Sequence, residues 1–169
     1  KVGDYAFAQI DSARRAQIRV HHTSAHLLQA ALIKVLGDEV KQAGSQVEDN
    51  RMRFDFTFSR AMTPQEIKKT EDIMNKWIGE KLPVNTDVMG IEEAKLTGAT
   101  ALFGEKYEDV VRVVSIGGKA KCNCGSDCSC DHESGEEKEV ISKEFCAGTH
   151  ASNTADLRLV KIVSEGAIA

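Results

Sequence analysis

Two pairs of metal-ligating residue types, widely separated along the chain, constrain its fold most. His22 and His26 lie four residues apart in a long helical pattern, so both imidazoles face the same side of a helix. Cys146 and His150 show the same spacing across a glycine, in the segment C-A-G-T-H. Because Zn²⁺ prefers a small tetrahedral set of nitrogen and sulfur ligands, the four residues predict one zinc site between the first long helix and a late loop. The alternative is a pair of ordinary polar helix residues and a structural cysteine near an unrelated histidine.

The helix that carries the two histidines is predicted to run from Asp11 to Gly37. Asp11 or Ser12 can act as its N-cap, and Gly37 is a suitable residue to follow its last turn. Small and aliphatic residues recur between these limits at the spacing of one helix face. A second helix is predicted to begin at the capping box T-P-Q-E of residues 63–66 and to end before Pro83.

The strand pattern is clearest at residues 51–58, where R-M-R-F-D-F-T-F alternates between polar and apolar side chains. The other predicted elements are strands near 84–88, 110–116, 140–145 and 157–164 and a short helix near 92–96. Helices and strands are mixed without a regular βαβ alternation. The sequence therefore predicts an α+β fold, with a mostly antiparallel sheet and helices packed on it.

The composition is typical of a globular domain, with 41% hydrophobic and 28% charged residues in a chain of 169. No apolar run approaches the roughly 20 residues that a membrane helix needs, and the first residues do not form a secretory signal. These features exclude a membrane-spanning, fibrous or disordered chain and favour a cytoplasmic location. Since the chain lacks an initiator methionine, we expect it to be a piece of a longer protein.

The acidic charge is concentrated in one segment. The net charge is −4, yet residues 121–140 hold six acidic residues and two lysines, so the rest of the chain is neutral. The overall charge therefore argues neither for nor against a phosphate-bearing partner.

Four of the five cysteines lie in this acidic segment, which is predicted to be an inserted loop at about 118–139. An odd number of cysteines without a secretory signal argues against a disulfide framework. Soft thiolates suit zinc or copper(I), so the loop can form a second metal site, the alternative being an acidic loop with free thiols. The residues of this second site would be Cys122, Cys124, Cys128 and Cys130.

Several longer motifs resemble the editing domain of alanyl-tRNA synthetase. They are H-x-x-x-H in the first helix, R-F-D-F on the following strand, C-x-G-T-H near the end, and also V-G-D, A-M-T-P-Q-E-I, A-L-F-G-E-K-Y, V-R-V-V-S-I-G and K-I-V-S-E-G-A-I-A. The resemblance covers nearly all of the chain outside the cysteine-rich segment. Stand-alone alanyl-tRNA editing proteins belong to the same superfamily, as does the threonyl-tRNA synthetase editing domain, which typically has G-P-H where this chain has G-T-H.

The resemblance implies an α+β fold and hydrolysis of serine, and in part glycine, wrongly attached to tRNA(Ala). The residues that match the family's zinc ligands are His22, His26, Cys146 and His150. One Zn²⁺ is therefore expected, and it would mainly orient the substrate or a water molecule. Because four protein ligands usually mark a closed site, one ligand is expected to be weak or displaced when the substrate binds.

The same resemblance implies the domain limits and the partners. Residues 1–11 would be the end of a preceding domain or a linker, and residues 12–169 would be the editing domain. The partners would be the acceptor end of tRNA(Ala) carrying serine or glycine and the rest of the synthetase chain. No membrane partner is expected, and the fragment is expected to be a monomer.

A polar pocket would account for the implied selectivity, because the synthetic site of a synthetase rejects an added hydroxyl poorly. Gln42 matches a polar pocket residue of the family and would bind the seryl hydroxyl, the alternative being a solvated loop residue. The candidates for phosphate contacts with tRNA are Arg14, Arg15, Arg19, Lys34, Lys68 and Lys69. For each of them the alternative is a solvated helix surface.

The chain departs from the family pattern at three positions. Ala147 replaces the first glycine of C-G-G-T-H, Ala25 stands where threonine is common, and His21 stands where asparagine is common. His21 is expected to be a neighbour of the zinc site and not a ligand. If the missing threonine recognises the seryl hydroxyl, Thr23 or Ser24 would have to replace it. The alternatives to a synthetase fragment are a stand-alone trans-editing protein and a catalytically impaired module that binds zinc or tRNA.

Overall fold

The long first helix, α1, spans Ser12–Leu36 in the computed structural model, which describes residues 3–101, 106–120 and 137–167. The Asp11 side chain caps it by accepting a hydrogen bond from the backbone N–H of Arg14 at 3.0 Å. Gly37 follows the last turn with a φ of 105°, a conformation that glycine adopts without strain. The predicted limits of this helix are confirmed.

The other elements largely follow the sequence pattern. The strands are β1 (Lys41–Val47), β2 (Met52–Thr57), β3 (Val84–Gly90), β4 (Val110–Gly118) and β5 (Lys138–Phe145), and the helices are α2 (Pro64–Gly79), α3 (Ile91–Leu96) and a single 3₁₀ turn (Thr154–Leu157). β1 and β2 form an antiparallel hairpin, and β3, β4 and β5 form an antiparallel sheet with β4 in the centre. The α+β fold is confirmed, with two sheets where one was expected.

The capping box of α2 forms as predicted, and the helix ends before Pro83, also as predicted. The side chain of Thr63 accepts from the N–H of Glu66, and the carboxylate of Glu66 accepts from the N–H of Thr63. The helix stops at Gly79 because Lys81 adopts a φ of 52°, which is incompatible with another helical turn. Pro83 forms an isolated bridge with Asn153, beyond the helix end.

The strand predicted at residues 157–164 is wrong. Residues 154–157 form the 3₁₀ turn, Arg158 then turns the chain with a φ of 58°, and the described residues that follow lie beside α2 without joining a strand ladder. Side chains of α2 take the place of a neighbouring strand: Asn75 bonds both the N–H and the C=O of Val160, at 2.9 and 3.0 Å, and Glu71 accepts from the N–H of Ile162 at 2.7 Å. The backbone of this segment therefore finds its hydrogen-bond partners in side chains of α2 and not in a neighbouring strand.

β1 was not predicted, because K-Q-A-G-S-Q-V has no alternating apolar pattern. Its ladder with β2 holds it in place, with a register shift between Gln42 and Gly44. The sequence of this segment alone predicts a loop, so its pairing with β2 decides that it is a strand.

The core lies on both faces of β4. Val114 and Ile116 pack with Leu27 of α1 and Met74 of α2 on one face, and the alternate residues of β4 pack with α3 on the other. Leu27 and Met74 are fully buried, and burial of such a side chain contributes about 1.5–3 kcal/mol. Strand β5 lies beside β4, so the loop that follows β5 is held against the middle of α1.

None of the helices in the described ranges is both long and apolar enough to cross a membrane.

Candidate metal centre

The four predicted ligands meet in one cluster. One side-chain donor atom from each of them lies within 4.8 Å of the donor atoms of the others. The Sγ atom of Cys146 is 3.5 Å from Nε2 of His22 and 3.3 Å from Nε2 of His150. The predicted meeting of the first helix and the late loop is confirmed, and the cluster can hold a metal ion.

The loop of Cys146 and His150 approaches α1 closely because it carries a glycine. The N–H of Cys146 donates to the carbonyl of Arg112 at 3.0 Å, which continues the pairing of β5 with β4 into the loop. A Cβ atom at Gly148 would lie 2.0 Å from Cε1 of His22. No larger residue fits this position without moving the imidazole or the loop backbone.

Each of two histidines of the cluster is held by a hydrogen bond at the ring nitrogen that faces away from the other donor atoms. Nδ1 of His26 lies 2.6 Å from a carboxylate oxygen of Glu144, whose second oxygen accepts from the Ser142 hydroxyl at 2.8 Å. Nδ1 of His150 lies 3.3 Å from the hydroxyl of Thr23. In both rings the tautomer with the proton on Nδ1 leaves Nε2 free to ligate, as in metal sites with a carboxylate behind the histidine.

The cluster fits a metal ion. Nε2 of His26 is buried, and the described part of the chain offers it no hydrogen-bond partner. An unpaired buried nitrogen costs about 1–3 kcal/mol unless a ligand compensates for it. Three imidazoles and one thiolate are a donor set that suits Zn²⁺. The orphaned nitrogen, the spacing of the donor atoms and their chemistry therefore agree.

Ionisation prepares the cluster for a cation. Burial raises the pKa of the Cys146 thiol, but hydrogen bonds from His150 and His22 and the nearby ring of His26 outweigh burial and lower the pKa to about 3. Burial lowers the pKa of His26, whereas the nearby Cys146 thiol and the hydrogen bond to Glu144 raise the pKa, to about 9. The pKa of His150 is lowered, mainly by burial. The lowered pKa of Cys146 favours the thiolate, which is the form of cysteine that ligates a metal ion.

A groove of about 1150 Å³ opens beside the cluster. One wall is the N-terminal half of α1, the other is the loop from Ala147 to Arg158, and strands β3 and β4 contribute Val84, Thr86 and Arg112. The charged residues that line it are Arg15, Arg19, Arg112, Arg158, Asp49 and Asp156. Arginines therefore outnumber acidic residues, and His150 joins the groove to the cluster.

The other predicted site residues, Thr23, Ser24 and Gln42, each make different contacts in the structure. Thr23 is completely buried and also accepts from the N–H of Ala151 at 3.0 Å, so it holds the late loop against α1. Ser24 is buried and donates to the Val20 carbonyl of its own helix. Gln42 lies on β1 and donates to the Ser45 hydroxyl. As substrate contacts, all three stay predictions.

Only some of the remaining predicted residues line the groove. Of the basic candidates, Arg15 and Arg19 line it, whereas Arg14 pairs with Asp49, Lys68 pairs with Asp72 and Lys34 lies over Trp77. His21 bonds the carbonyl of Glu48 and is not one of the four clustered residues. The residues of the second predicted metal site, Cys122, Cys124, Cys128 and Cys130, lie outside the described residues.

Glu144 and Arg112 were missed at the sequence level. Ser142, Glu144 and Cys146 alternate along the end of β5, so all three point to one face, and a period-two reading from Cys146 would have found Glu144. Arg112 interrupts the apolar run V-V-R-V-V of β4, and a charge in such a run is a usable signal. Arg158 follows the 3₁₀ turn and has no comparable signal.

The similarity to known proteins covers this site. The family described as the threonyl and alanyl tRNA synthetase second additional domain matches residues 111–169, which include Cys146 and His150. Alanine–tRNA ligase of Synechococcus sp. (strain JA-3-3Ab) is 46% identical over all 169 residues, and the chain spans 17% of the length of that relative. The resemblance to the alanyl-tRNA synthetase editing domain found in the sequence motifs is thereby confirmed.

Proposed function

We propose that this chain hydrolyses the ester bond of seryl-tRNA(Ala), and in part that of glycyl-tRNA(Ala), as a fragment of an alanine–tRNA ligase. The observation that carries the proposal is the junction between the cluster of three histidines and Cys146 and an arginine-lined groove. An aminoacyl-tRNA has one feature for each part of this site. Its ester carbonyl, with the amino group next to it, suits the cluster, and its phosphate backbone suits the arginine-lined groove. The 46% identity to an alanine–tRNA ligase supports tRNA(Ala) as the substrate.

We infer that the ion is Zn²⁺ and that His22, His26, Cys146 and His150 hold it. When bound, Zn²⁺ would polarise a carbonyl or a water and orient the substrate amino group. Glu144 would keep the ring of His26 in its ligating tautomer, and Thr23 would do the same for His150. Since four protein ligands leave no open position, we infer that one of them is weakly held or is displaced by the substrate.

Selectivity would come from a polar pocket beside the ion. Alanine differs from serine by a hydroxyl, and a site built to bond that hydroxyl leaves its own polar groups unpaired when alanine is bound. We infer that Gln42 is one of these polar groups, as the family resemblance implies. Ala25 removes a threonine hydroxyl that is common in the family, so the remaining polar groups would carry more of the discrimination.

The groove would hold the phosphates of the acceptor end. Arg15, Arg19, Arg112 and Arg158 line it together with the main chain of the loop. Positive side chains along a groove would lead the ester towards the cluster at its edge. The rest of the ligase would be the second partner, since the chain spans 17% of its relative's length. We also propose that the fragment is a monomer and is located in the cytoplasm.

Deacylation of seryl-tRNA(Ala) and alanyl-tRNA(Ala) by the purified chain tests the proposal. We expect hydrolysis that favours serine, that stops after a chelator and returns with added Zn²⁺. A Cys146→Ala variant should lose turnover but keep its fold, as measured by far-UV circular dichroism. Hydrolysis that continues without metal would contradict the proposed chemistry. A metal-loaded, folded chain that binds tRNA(Ala) without turnover would instead indicate a catalytically impaired binding module.

A further inference from the structure

Two arginines from different elements hold the loop that carries Cys146 and His150. Nε of Arg19, on α1, donates to the hydroxyl of Thr149 at 2.8 Å. Nη1 of Arg112, on β4, donates to the carbonyl of Ala147 at 2.7 Å. These contacts lie on the two residues that flank Gly148, at the point where the loop backbone meets His22. The guanidinium groups therefore hold the segment between Cys146 and His150 from two different elements.

Both arginines also line the groove. A guanidinium has five N–H donors, and each of these loop contacts uses one of them. The donors that remain match the oxygens of a phosphate, which an arginine can bind through two N–H groups at once. The same side chain can therefore hold the loop and a phosphate together.

We propose that Arg19 and Arg112 are positioning residues that couple phosphate binding in the groove to the geometry of the metal cluster. The proposal rests on the proposed function for the identity of the RNA ligand. A phosphate on the outer donors limits the rotation of the guanidinium and so stabilises its bond to the loop. The loop in turn holds Cys146 and His150 at ligating distance from His22.

Coupling of this kind is reciprocal. If RNA in the groove raises the affinity of the cluster for a metal ion, the metal ion must raise the affinity for RNA by the same factor. The groove offers matched controls, because Arg15 and Arg158 line it and, among the described residues, neither guanidinium hydrogen-bonds the segment 146–150. Replacing them removes groove charge and leaves both loop contacts in place.

Titration with Co²⁺ as an optical probe tests the proposal. The proteins are the wild type, Arg112→Met, Arg19→Met and the controls Arg15→Met and Arg158→Met, each with and without an acceptor-stem RNA hairpin of tRNA(Ala). Without RNA, we expect Arg112→Met and Arg19→Met to weaken Co²⁺ binding about tenfold. Removing a residue that supports a metal ligand typically lowers metal affinity about 10–100-fold, and this value is at the lower end of that range. The controls should bind Co²⁺ as the wild type does. All four variants should reduce the salt dependence of hairpin binding, by about one phosphate contact each.

With the hairpin bound, the wild type and the controls should bind Co²⁺ at least about fivefold more tightly, and Arg112→Met should lose this gain. Arg112→Lys should restore the loop bond in part, since lysine keeps one donor and the charge. Unchanged Co²⁺ affinity in Arg112→Met and Arg19→Met overturns the proposal, as does a hairpin that leaves the wild-type affinity unchanged. Thermal unfolding of the metal-free variants separates a misfolded protein from a misplaced loop. Failure of the proposed function is a different result, namely no ester hydrolysis by the metal-loaded wild type.

Discussion

Nδ1 of His26 lies 2.6 Å from Oε2 of Glu144, and this contact joins the middle of α1 to the end of β5. Both side chains are largely buried, at 8% and 15% exposure, so solvent screens their interaction little. The carboxylate fixes which nitrogen of the ring faces the other three donors. Glu144 thus determines the ligating state of the most buried histidine of the cluster without being one of the four clustered residues itself.

Replacement of Glu144 should weaken metal binding more than it weakens the fold. We expect Glu144→Ala to lower Zn²⁺ affinity about 10–100-fold, because the ring of His26 loses its orientation and the proton on Nδ1 loses its acceptor. Glu144→Gln keeps an acceptor without the charge and should lie between Ala and the wild type. Competition with a chromophoric chelator measures the affinity. An exposed acidic residue of the same strand, Glu139, provides the control Glu139→Gln, and equal affinities of Glu144→Ala and the wild type would exclude the role.

Gly148 should tolerate no side chain. In Gly148→Ala the new methyl would meet the ring of His22 at 2.0 Å, so either the loop or the histidine has to move. We expect a loss of Zn²⁺ affinity of about tenfold or more, comparable with the loss of a group that orients a ligand. The control is Gly79→Ala at the end of α2, where no heavy atom lies within 4 Å of the added methyl. That change should leave metal binding intact and stabilise the fold by up to about 1 kcal/mol. Wild-type metal binding by Gly148→Ala would show that the loop yields easily.

Stability should depend on pH through the capping box of α2. Hydrogen bonds from Arg60 and then from Thr63 lower the pKa of Glu66 to about 2, against an ordinary value of 4.5. Because the folded pKa is the lower one, the stabilisation is complete above pH 4.5 and is lost as the pH falls towards 2. Urea unfolding of the wild type and Glu66→Gln should therefore differ most above pH 4.5 and converge near pH 2. In an Arg60→Met background the difference should shrink, and a gap that stays constant with pH would contradict the assignment.

Gln42 should affect selectivity and not the metal. If its amide binds the seryl hydroxyl, Gln42→Ala should lower the ratio of the seryl to the alanyl hydrolysis rate by about tenfold, which corresponds to about 1.4 kcal/mol. The matched control is Gln46→Ala on the same strand, whose amide donates to Glu48. Zn²⁺ affinity should be unchanged in both variants. An unchanged ratio of rates in Gln42→Ala would reject the role and leave Gln42 as a residue that bonds Ser45.

Local chemistry was sufficient for much of the fold. Asp11, Gly37 and the capping box at Thr63 act within one or two turns of their own helix, so their effects do not depend on the rest of the molecule. The alternation around Phe54 and Phe56 reports a sheet with one buried face, which is also a local property. The failures share a different cause. β1 exists through its pairing with β2, and the segment after Leu157 is held by hydrogen bonds to Asn75 and Glu71 of α2 instead of a strand.

The sequence by itself determined the four donor atoms and their two half-sites, because spacing within a helix or a short loop decides which side chains share a face. Only the tertiary structure decided what supports them. Glu144 reaches His26 because β5 lies against α1, and Arg112 reaches Ala147 because β4 begins beside the loop. The groove is likewise formed by α1, two strands and a late loop together. Such contacts depend on how distant segments pack, and no local pattern in the chain specifies them.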